Sequence, residues 1–136
     1  MTYIQLYSCF SNFNQLDLVQ HNEKNDVEHF LTDFKTKLKI YSIVYRDERG
    51  KNLQALADLE ITRAKRTEYL NKLKVEDYCS GPNKDRLYPT MPDYWEFGIK
   101  VKKKDVYVKI SMGNPNDSVI CISFHLAEHK LNYKFK

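Results

Sequence analysis

Two runs of alternating apolar and polar residues dominate the C-terminal half of the chain. They span residues 105–111 and 118–125, and a turn with the sequence GNPND separates them. Because successive side chains of a β-strand point to opposite faces, this alternation predicts an antiparallel hairpin. The apolar set should face a core and comprises Val106, Val108, Ile110, Ile120, Ile122 and Phe124. The polar set shares the other face and includes Tyr107, Lys109, Ser123 and His125.

Helical patterns precede the hairpin. Apolar residues recur at helical spacing from Val27 to Leu38, and Asn25 or Asp26 is a candidate N-cap. Two shorter helices are predicted from LQALADLEI and RAKRTEYLNKLK, the second capped by Thr62 and with RAKR on its solvated face. The segment YWEFGIKV predicts a strand, YSIVYR has strand-like composition, and SGPNKDRLYPTMPD is typical of a loop.

This order of elements predicts an α+β domain, in which N-terminal helices pack on one face of an antiparallel β-meander. Residues 1–24 are rich in Asn, Gln, Tyr and Phe, and we interpret them as a flexible N-terminal extension. Residues 25–136 are expected to form a single domain, because the chain is only 136 residues long.

The amino-acid composition narrows the classes of protein to which this chain can belong. Hydrophobic residues make up 42% of the chain, enough for a globular core, and a net charge of +4 permits a nucleic-acid partner without requiring one. Cys9, Cys79 and Cys121 show no C-x-x-C spacing, so we expect reduced thiols, with Cys79 exposed in a loop. No apolar run approaches the ~18 residues of a membrane span, and no signal peptide is recognisable, which favours the cytoplasm. Neither a metal nor a cofactor is expected, because no ligand spacing is present.

The register of the hairpin decides which polar groups meet. If Ile110 lies opposite Ile120, then Tyr107 lies opposite Ser123, and His125 is diagonal to Tyr107 at roughly 5–8 Å. The preceding strand adds Glu96 and Lys100 to the same face.

These side-chain types suit the cleavage of RNA. Histidine exchanges protons near neutral pH, and a lysine beside a tyrosine would lower the pKa of the phenol. Lysine also stabilises negative charge on a phosphoryl group. RNA carries its own nucleophile, the 2′-hydroxyl, so an acid, a base and a cation are sufficient without a metal. The plainer interpretation of the same residues is a solvated sheet surface.

Four segments carry a resemblance to a known family, over about residues 57–125. They are LADLEITRAKRTEYLNKLKVEDY, the tryptophan-centred strand YWEFGIKV, and the segments VYVKI and ICISFH. In this order they resemble the MqsR family, whose members are toxins of type II toxin–antitoxin systems with a fold like that of the RelE toxins. The resemblance implies an mRNA endoribonuclease that needs no metal and is neutralised by an antitoxin protein encoded by a neighbouring gene. Tyr107 and Lys109 match the tyrosine and lysine of the family's VYLK-like strand.

This sequence departs from the family pattern at three places. Glu96 replaces the family's polar amide, His125 replaces the lysine after SF, and DYCSG replaces the DFYK stretch. Which of Tyr107, His125 and Glu96 acts as the acid or the base therefore stays open.

The sequence as a whole predicts a catalytic face. Tyr107 and His125 would share proton transfer, Lys109 would stabilise the phosphate, and Glu96 would orient His125 or serve as an alternative base. The predicted contacts with the RNA backbone are Lys100, Lys102, Lys103 and Lys104, the last three of which are otherwise a solvated turn. Two other functions fit the same fold: a module that binds RNA or a protein without cutting, and a DNA-binding subunit that acts only with its antitoxin.

Overall fold

The structure, a computed structural model, describes residues 15–136. Within these residues the chain forms three α-helices and a five-stranded mixed sheet, which confirms the predicted α+β class. The helices are α1 (Gln15–Tyr41), α2 (Gly50–Leu59) and α3 (Arg63–Asn71). The strands are β1 (Ile43–Tyr45), β2 (Tyr78–Asn83), β3 (Tyr94–Val101), β4 (Lys104–Ser111) and β5 (Val119–Leu126).

The sheet is not the purely antiparallel meander that we predicted. Its strand order is β1-β5-β4-β3-β2, and β1 runs parallel to β5 while the other neighbours are antiparallel. Residues 46–118, which separate β1 from β5, contain two helices and three strands, long enough for the crossover that a parallel pair needs.

Helix α1 is already helical at Gln15, ten residues before the predicted N-cap. Asn25 and Asp26 lie in its interior, so the predicted cap is wrong and residues 15–24 continue the helix. Neither Gly nor Pro occurs between Gln15 and Asp26, and a helix propagates easily through such a segment. Residues 1–14 of the expected extension lie outside the described residues.

The predicted apolar stripe of α1 covers one face of the sheet. Its members are all buried, and they are Val27, Phe30, Leu31, Phe34 and Leu38. The Phe30 ring stacks on Trp95 of β3 with 4.3 Å between ring centroids. Behind this contact, Phe97, Val108 and Phe124 bring β3, β4 and β5 into the same core. The other face of the sheet is therefore free to carry polar groups.

Helix α3 forms where the sequence predicted it, and the Thr62 hydroxyl accepts from the Lys65 amide at 3.1 Å. Arg66 does not lie on a solvated face, however. It is buried, donates two hydrogen bonds to Asp47 at 2.9 and 3.1 Å, and lies over the Tyr45 ring. A planar guanidinium can satisfy a carboxylate and an aromatic face together, which is why this position tolerates a buried charge.

A β-bulge in β5 changes the predicted register of the hairpin. Lys109 lies opposite Ser123, but the next residue, Ile110, lies opposite Cys121, so Ile122 is the inserted residue. Val119 and Cys121 therefore belong to the core cluster, and the prediction that Ile120 and Ile122 do so is wrong. Beyond the bulge, the faces of β5 are exchanged.

Asn52 of α2 satisfies the backbone groups that the bulge frees. Its amide donates to the Ile122 carbonyl at 3.0 Å, and its Oδ1 accepts from the Phe124 amide at 3.0 Å. A buried polar side chain of this kind needs all its partners, and Asn52 also donates to the Arg46 carbonyl at 2.8 Å. The hydrogen bonds of Asn52 therefore hold α2 in place against the bulge.

The segment after the bulged hairpin crosses the polar face of the sheet. We name residues 127–136 the strap; they form neither helix nor strand. The Ala127 amide donates to the Asp105 carbonyl at 2.9 Å, and the Lys134 amide donates to the Tyr78 carbonyl at 3.2 Å. The Phe135 ring stacks on the Tyr78 ring. A Cβ at Gly98 would lie 2.6 Å from Leu131, so only glycine allows the strap to approach β3 this closely.

Candidate functional site

A cavity of 570 Å³ lies between the strap and the polar face of the sheet. We name it the central cavity. Its sheet side carries three of the predicted catalytic residues together with two residues of β2, and these are Glu96, Tyr107, His125, Cys79 and Ser80. Residues 127–132 of the strap line the opposite side. The strap thus forms a second wall over three of the six residues predicted on the polar face, Glu96, Tyr107 and His125.

Glu96 is held by three donors. The Tyr107 phenol donates to Oε2, the Ser80 hydroxyl donates to Oε1 at 2.5 Å, and the Asn83 amide reaches Oε1 at 3.4 Å. Within residues 15–136, Glu96 makes no hydrogen bond to His125, so the prediction that it orients His125 is not what the geometry shows. It orients Tyr107 instead, because β3 and β4 place the two side chains on one face.

The phenol of Tyr107 is a weaker acid than an ordinary tyrosine. Burial raises its pKa first, and the hydrogen bond and the charge of Glu96 raise it further. The expectation that Lys109 would lower this pKa is wrong, because the Lys109 ammonium lies over the Tyr94 ring at 3.8 Å. Tyr107 is therefore protonated at neutral pH and can donate a proton, but its phenolate is not available as a base.

We expect Tyr107 to stay protonated in the folded protein above the ordinary phenol value of 10.0. Because its pKa is raised by folding, its contribution to stability is complete below that value and is lost as pH rises towards the folded-state pKa. An alkaline titration of phenolate absorbance, compared between the native chain and Tyr107→Phe, measures this. A tyrosine that ionises below pH 10 in the native chain and is missing from the variant would contradict it.

His125 lies directly opposite Tyr107 rather than diagonal to it. The bulge lies beyond this pair, and the two ring centroids are 5.4 Å apart. Nδ1 of His125 is 2.9 Å from the Leu126 carbonyl oxygen. Because a carbonyl oxygen only accepts, Nδ1 carries a proton, and Nε2 is the nitrogen through which the neutral ring would act as a general base.

Lys109 lies one row away from the Tyr107–His125 pair, opposite Glu96 on β3 and Ser123 on β5. Burial lowers its pKa, while the charges of Asp85 and Glu96 raise it and Arg49 lowers it. Along β4, Lys109 lies between Tyr107 and Ser111, which is beyond the bulge. It is a half-buried cation beside the central cavity.

The four lysines predicted to contact RNA do not share one environment. Lys100 pairs with Asp105 at 2.8 Å, and the Lys102 ammonium donates to the Glu60 carbonyl at 3.0 Å. Lys103 and Lys104 are exposed, and their side chains make no ion pair within the described part of the chain. The turn begins three residues from Tyr107, about 10 Å along β4.

Sequence reasoning missed the residues of β2 that hold Glu96. The predicted loop from Ser80 begins instead as a strand, and Cys79, predicted as an exposed loop thiol, is half-buried there, which raises its pKa to about 11. Ser80 and Asn83 were not recognised because Gly81 and Pro82 between them are typical of a loop. Their hydrogen bonds to Glu96 depend on the pairing of β2 with β3.

Comparisons of the chain with protein-family models, curated proteins and solved structures find no match. The resemblance to the MqsR family stays a prediction.

Two further features of the described residues concern a membrane-spanning helix and a group of metal-binding side chains. No helix within residues 15–136 combines the length and apolar character needed to cross a membrane. Over the same residues, no three His, Cys, Asp or Glu side chains are grouped so as to hold a metal ion.

Proposed function

We propose that this chain is a metal-independent endoribonuclease with a fold like those of the MqsR and RelE toxins. It would cleave mRNA in the cytoplasm as the toxin of a type II toxin–antitoxin system. The observation that carries the proposal is the Tyr107–His125 pair. A protonated phenol and a histidine whose Nδ1 contacts the Leu126 carbonyl face each other across two strands, in a cavity that also contains Glu96.

His125 is the base in the proposed reaction. Nε2 takes the proton of the RNA 2′-hydroxyl, and the resulting oxygen attacks the adjacent phosphorus. The hydrogen bond from Nδ1 to the Leu126 carbonyl fixes the ring and stabilises the imidazolium that forms. A bond between the 2′-oxygen and phosphorus is made, and the bond to the 5′-oxygen breaks, which gives a 2′,3′-cyclic phosphate and a 5′-hydroxyl.

Tyr107 is the acid, and Glu96 positions it. A phenol that stays protonated at neutral pH can donate its proton to the leaving 5′-oxygen as the bond to phosphorus breaks. Glu96 accepts from Ser80 and Asn83 as well, so its carboxylate cannot rotate freely. Lys109 supplies the cation for the crowded phosphate, and its half-buried position strengthens that interaction.

The remaining lysines would guide the RNA backbone. Lys103 and Lys104 are the stronger candidates because their charges are uncompensated, whereas Lys100 and Lys102 have partners in the fold. Such contacts would be sequence-independent and weaken with salt.

Expression in cells tests the toxin assignment. We expect the chain alone to arrest growth, and the protein encoded by the neighbouring gene to co-purify with it and restore growth, since a mildly basic face is complementary to an acidic partner. Growth and the 5′ ends of cellular RNA are the measurements, with and without the neighbouring gene. Normal growth and unchanged RNA ends on expression of the chain alone would contradict the assignment.

A second function is supported by one feature of the central cavity. In this structure the Tyr107 phenol donates to Glu96 and not towards open space. A fully satisfied network of this kind also suits a module that binds RNA or a protein without cutting it. Retained RNA binding by the purified chain, with no cleavage products, would favour this function.

A further inference from the structure

A second cavity, of 330 Å³, lies on the same face of the sheet beyond the bulge. We name it the flanking cavity. Ser111 of β4 and Ile120 of β5 lie opposite each other in its floor, and Ile122 adds to it. Its rim comes from the segment after β1 and from the loop between β2 and β3, and comprises Arg46, Glu48, Arg49, Asp85, Tyr88, Met91 and Pro92.

The bulge gives this cavity its apolar floor. In a regular strand, Val119 and Cys121 would face this side, but the inserted Ile122 exchanges the faces and brings the two isoleucines here. The Tyr88 side chain on the rim is 58% exposed, so its ring is available to a ligand. Two branched aliphatic residues and an exposed aromatic ring suit a flat, partly apolar group.

The rim also carries unpaired positive charge. Arg46 and Arg49 make no ion pair within residues 15–136, although Glu48 and Asp85 line the same cavity. One oxygen of Asp85 is occupied by the Leu87 and Tyr88 amides, at 3.0 and 3.2 Å, which fold the loop. Two guanidinium groups without carboxylate partners are well suited to a phosphate, which they bind with parallel hydrogen bonds.

The flanking cavity and the proposed catalytic residues lie on the same face of the sheet. Arg49 and Asp85, on its rim, are close enough to Lys109 for their charges to shift the pKa of the lysine. Ser111 lies four positions beyond Tyr107 on β4, about 13 Å away at the usual rise of a strand. A chain that places its reacting phosphate at Lys109 therefore extends naturally into this cavity.

We propose that the flanking cavity binds one nucleotide of single-stranded RNA, a neighbour of the nucleotide whose 2′-hydroxyl reacts. Its base packs against Ile120 and Ile122 with Tyr88 on the rim, and its phosphate binds Arg46 and Arg49. The neighbouring position would then contribute to the choice of cleavage sequence. This inference rests on the proposed endoribonuclease function, but binding in the cavity can be measured without cleavage.

The test is a titration of the isotope-labelled full chain with the four ribonucleoside 5′-monophosphates, followed by NMR, with inorganic phosphate as a separate probe. Mononucleotides contain no cleavable phosphodiester bond. We expect chemical-shift changes centred on Ile120, Ile122 and Tyr88, with affinities that differ between bases. The double variant Arg46→Gln/Arg49→Gln should raise the dissociation constant at least about tenfold, because charged hydrogen bonds to phosphate are lost.

Two further variants make the result decisive. Tyr88 is in an exposed loop position. Tyr88→Ala should weaken the binding of nucleotides by roughly tenfold and leave the binding of inorganic phosphate unchanged, because only stacking is removed. Arg63→Gln, an exposed arginine at the start of α3, is the matched control and should change nothing. Equal shifts with phosphate alone, shifts centred on the Lys102–Lys104 turn, or unchanged affinity in the double variant would overturn the inference. Nucleotide binding here with intact RNA left uncut would instead contradict only the proposed cleavage.

Discussion

Replacing His125 by alanine is expected to slow RNA cleavage by about 10²–10⁴-fold, the usual loss when a positioned base is removed. The ring lies opposite Tyr107, and its Nδ1 is already engaged by the Leu126 carbonyl, which leaves Nε2 as the nitrogen that would take the proton. The measurement is the single-turnover rate on a short oligoribonucleotide. Induction of His125→Ala in cells should no longer arrest growth.

The matched control is His29→Ala, which removes an exposed histidine from α1, on the opposite side of the sheet. Its cleavage rate should equal that of the native chain. His125 is only half-buried, so the melting of His125→Ala should show a change in stability within about 1 kcal/mol. Full activity in a folded His125→Ala would contradict the assignment of His125 as the base.

The second large effect concerns the core. Phe124→Ala should lower the free energy of unfolding by about 3–5 kcal/mol, because the ring is fully buried between the sheet and the helices. Urea unfolding measures the change. Ile122→Ala, two residues away on the same strand, should cost about 1 kcal/mol or less, because the bulge places this side chain at the flanking cavity, where it is partly exposed.

This pair of variants tests the register directly. If β5 were a regular strand, Ile122 and Phe124 would share the core face, and both truncations would be severe. Comparable losses of several kcal/mol in both variants would contradict the bulge.

The strands and the main helical stripe were predictable because their periodicity is strong. Strand β3 was predicted with its exact bounds, and β4 and β5 within one residue, because apolar and polar positions alternate cleanly. The bulge was not predictable, because residues 119–122 are apolar on either face. The bulge is stabilised by Asn52, which lies 70 residues before Ile122 and satisfies the freed backbone groups.

The candidate site was predictable in its residues but not in its contacts. Alternation places Glu96, Tyr107 and His125 on one face, an arrangement that a register shift of two residues would not change, and the structure brings them together. The partners of Glu96 and the course of the strap depend on long-range pairing that no local pattern reports. Arg66 shows the same limit, because its burial depends on Asp47 and Tyr45, which lie on a different element.

The central claim is that the RNA 2′-hydroxyl is the nucleophile and that the chain's own side chains move the protons. The most direct measurement compares a cleavable oligoribonucleotide with the same molecule carrying a single 2′-deoxy group at the cleavage position, both in EDTA. We predict cleavage of the first to a 2′,3′-cyclic phosphate and no cleavage of the second at that position. Equal cleavage of both molecules, or cleavage that requires added Mg²⁺ or Mn²⁺, would contradict the account.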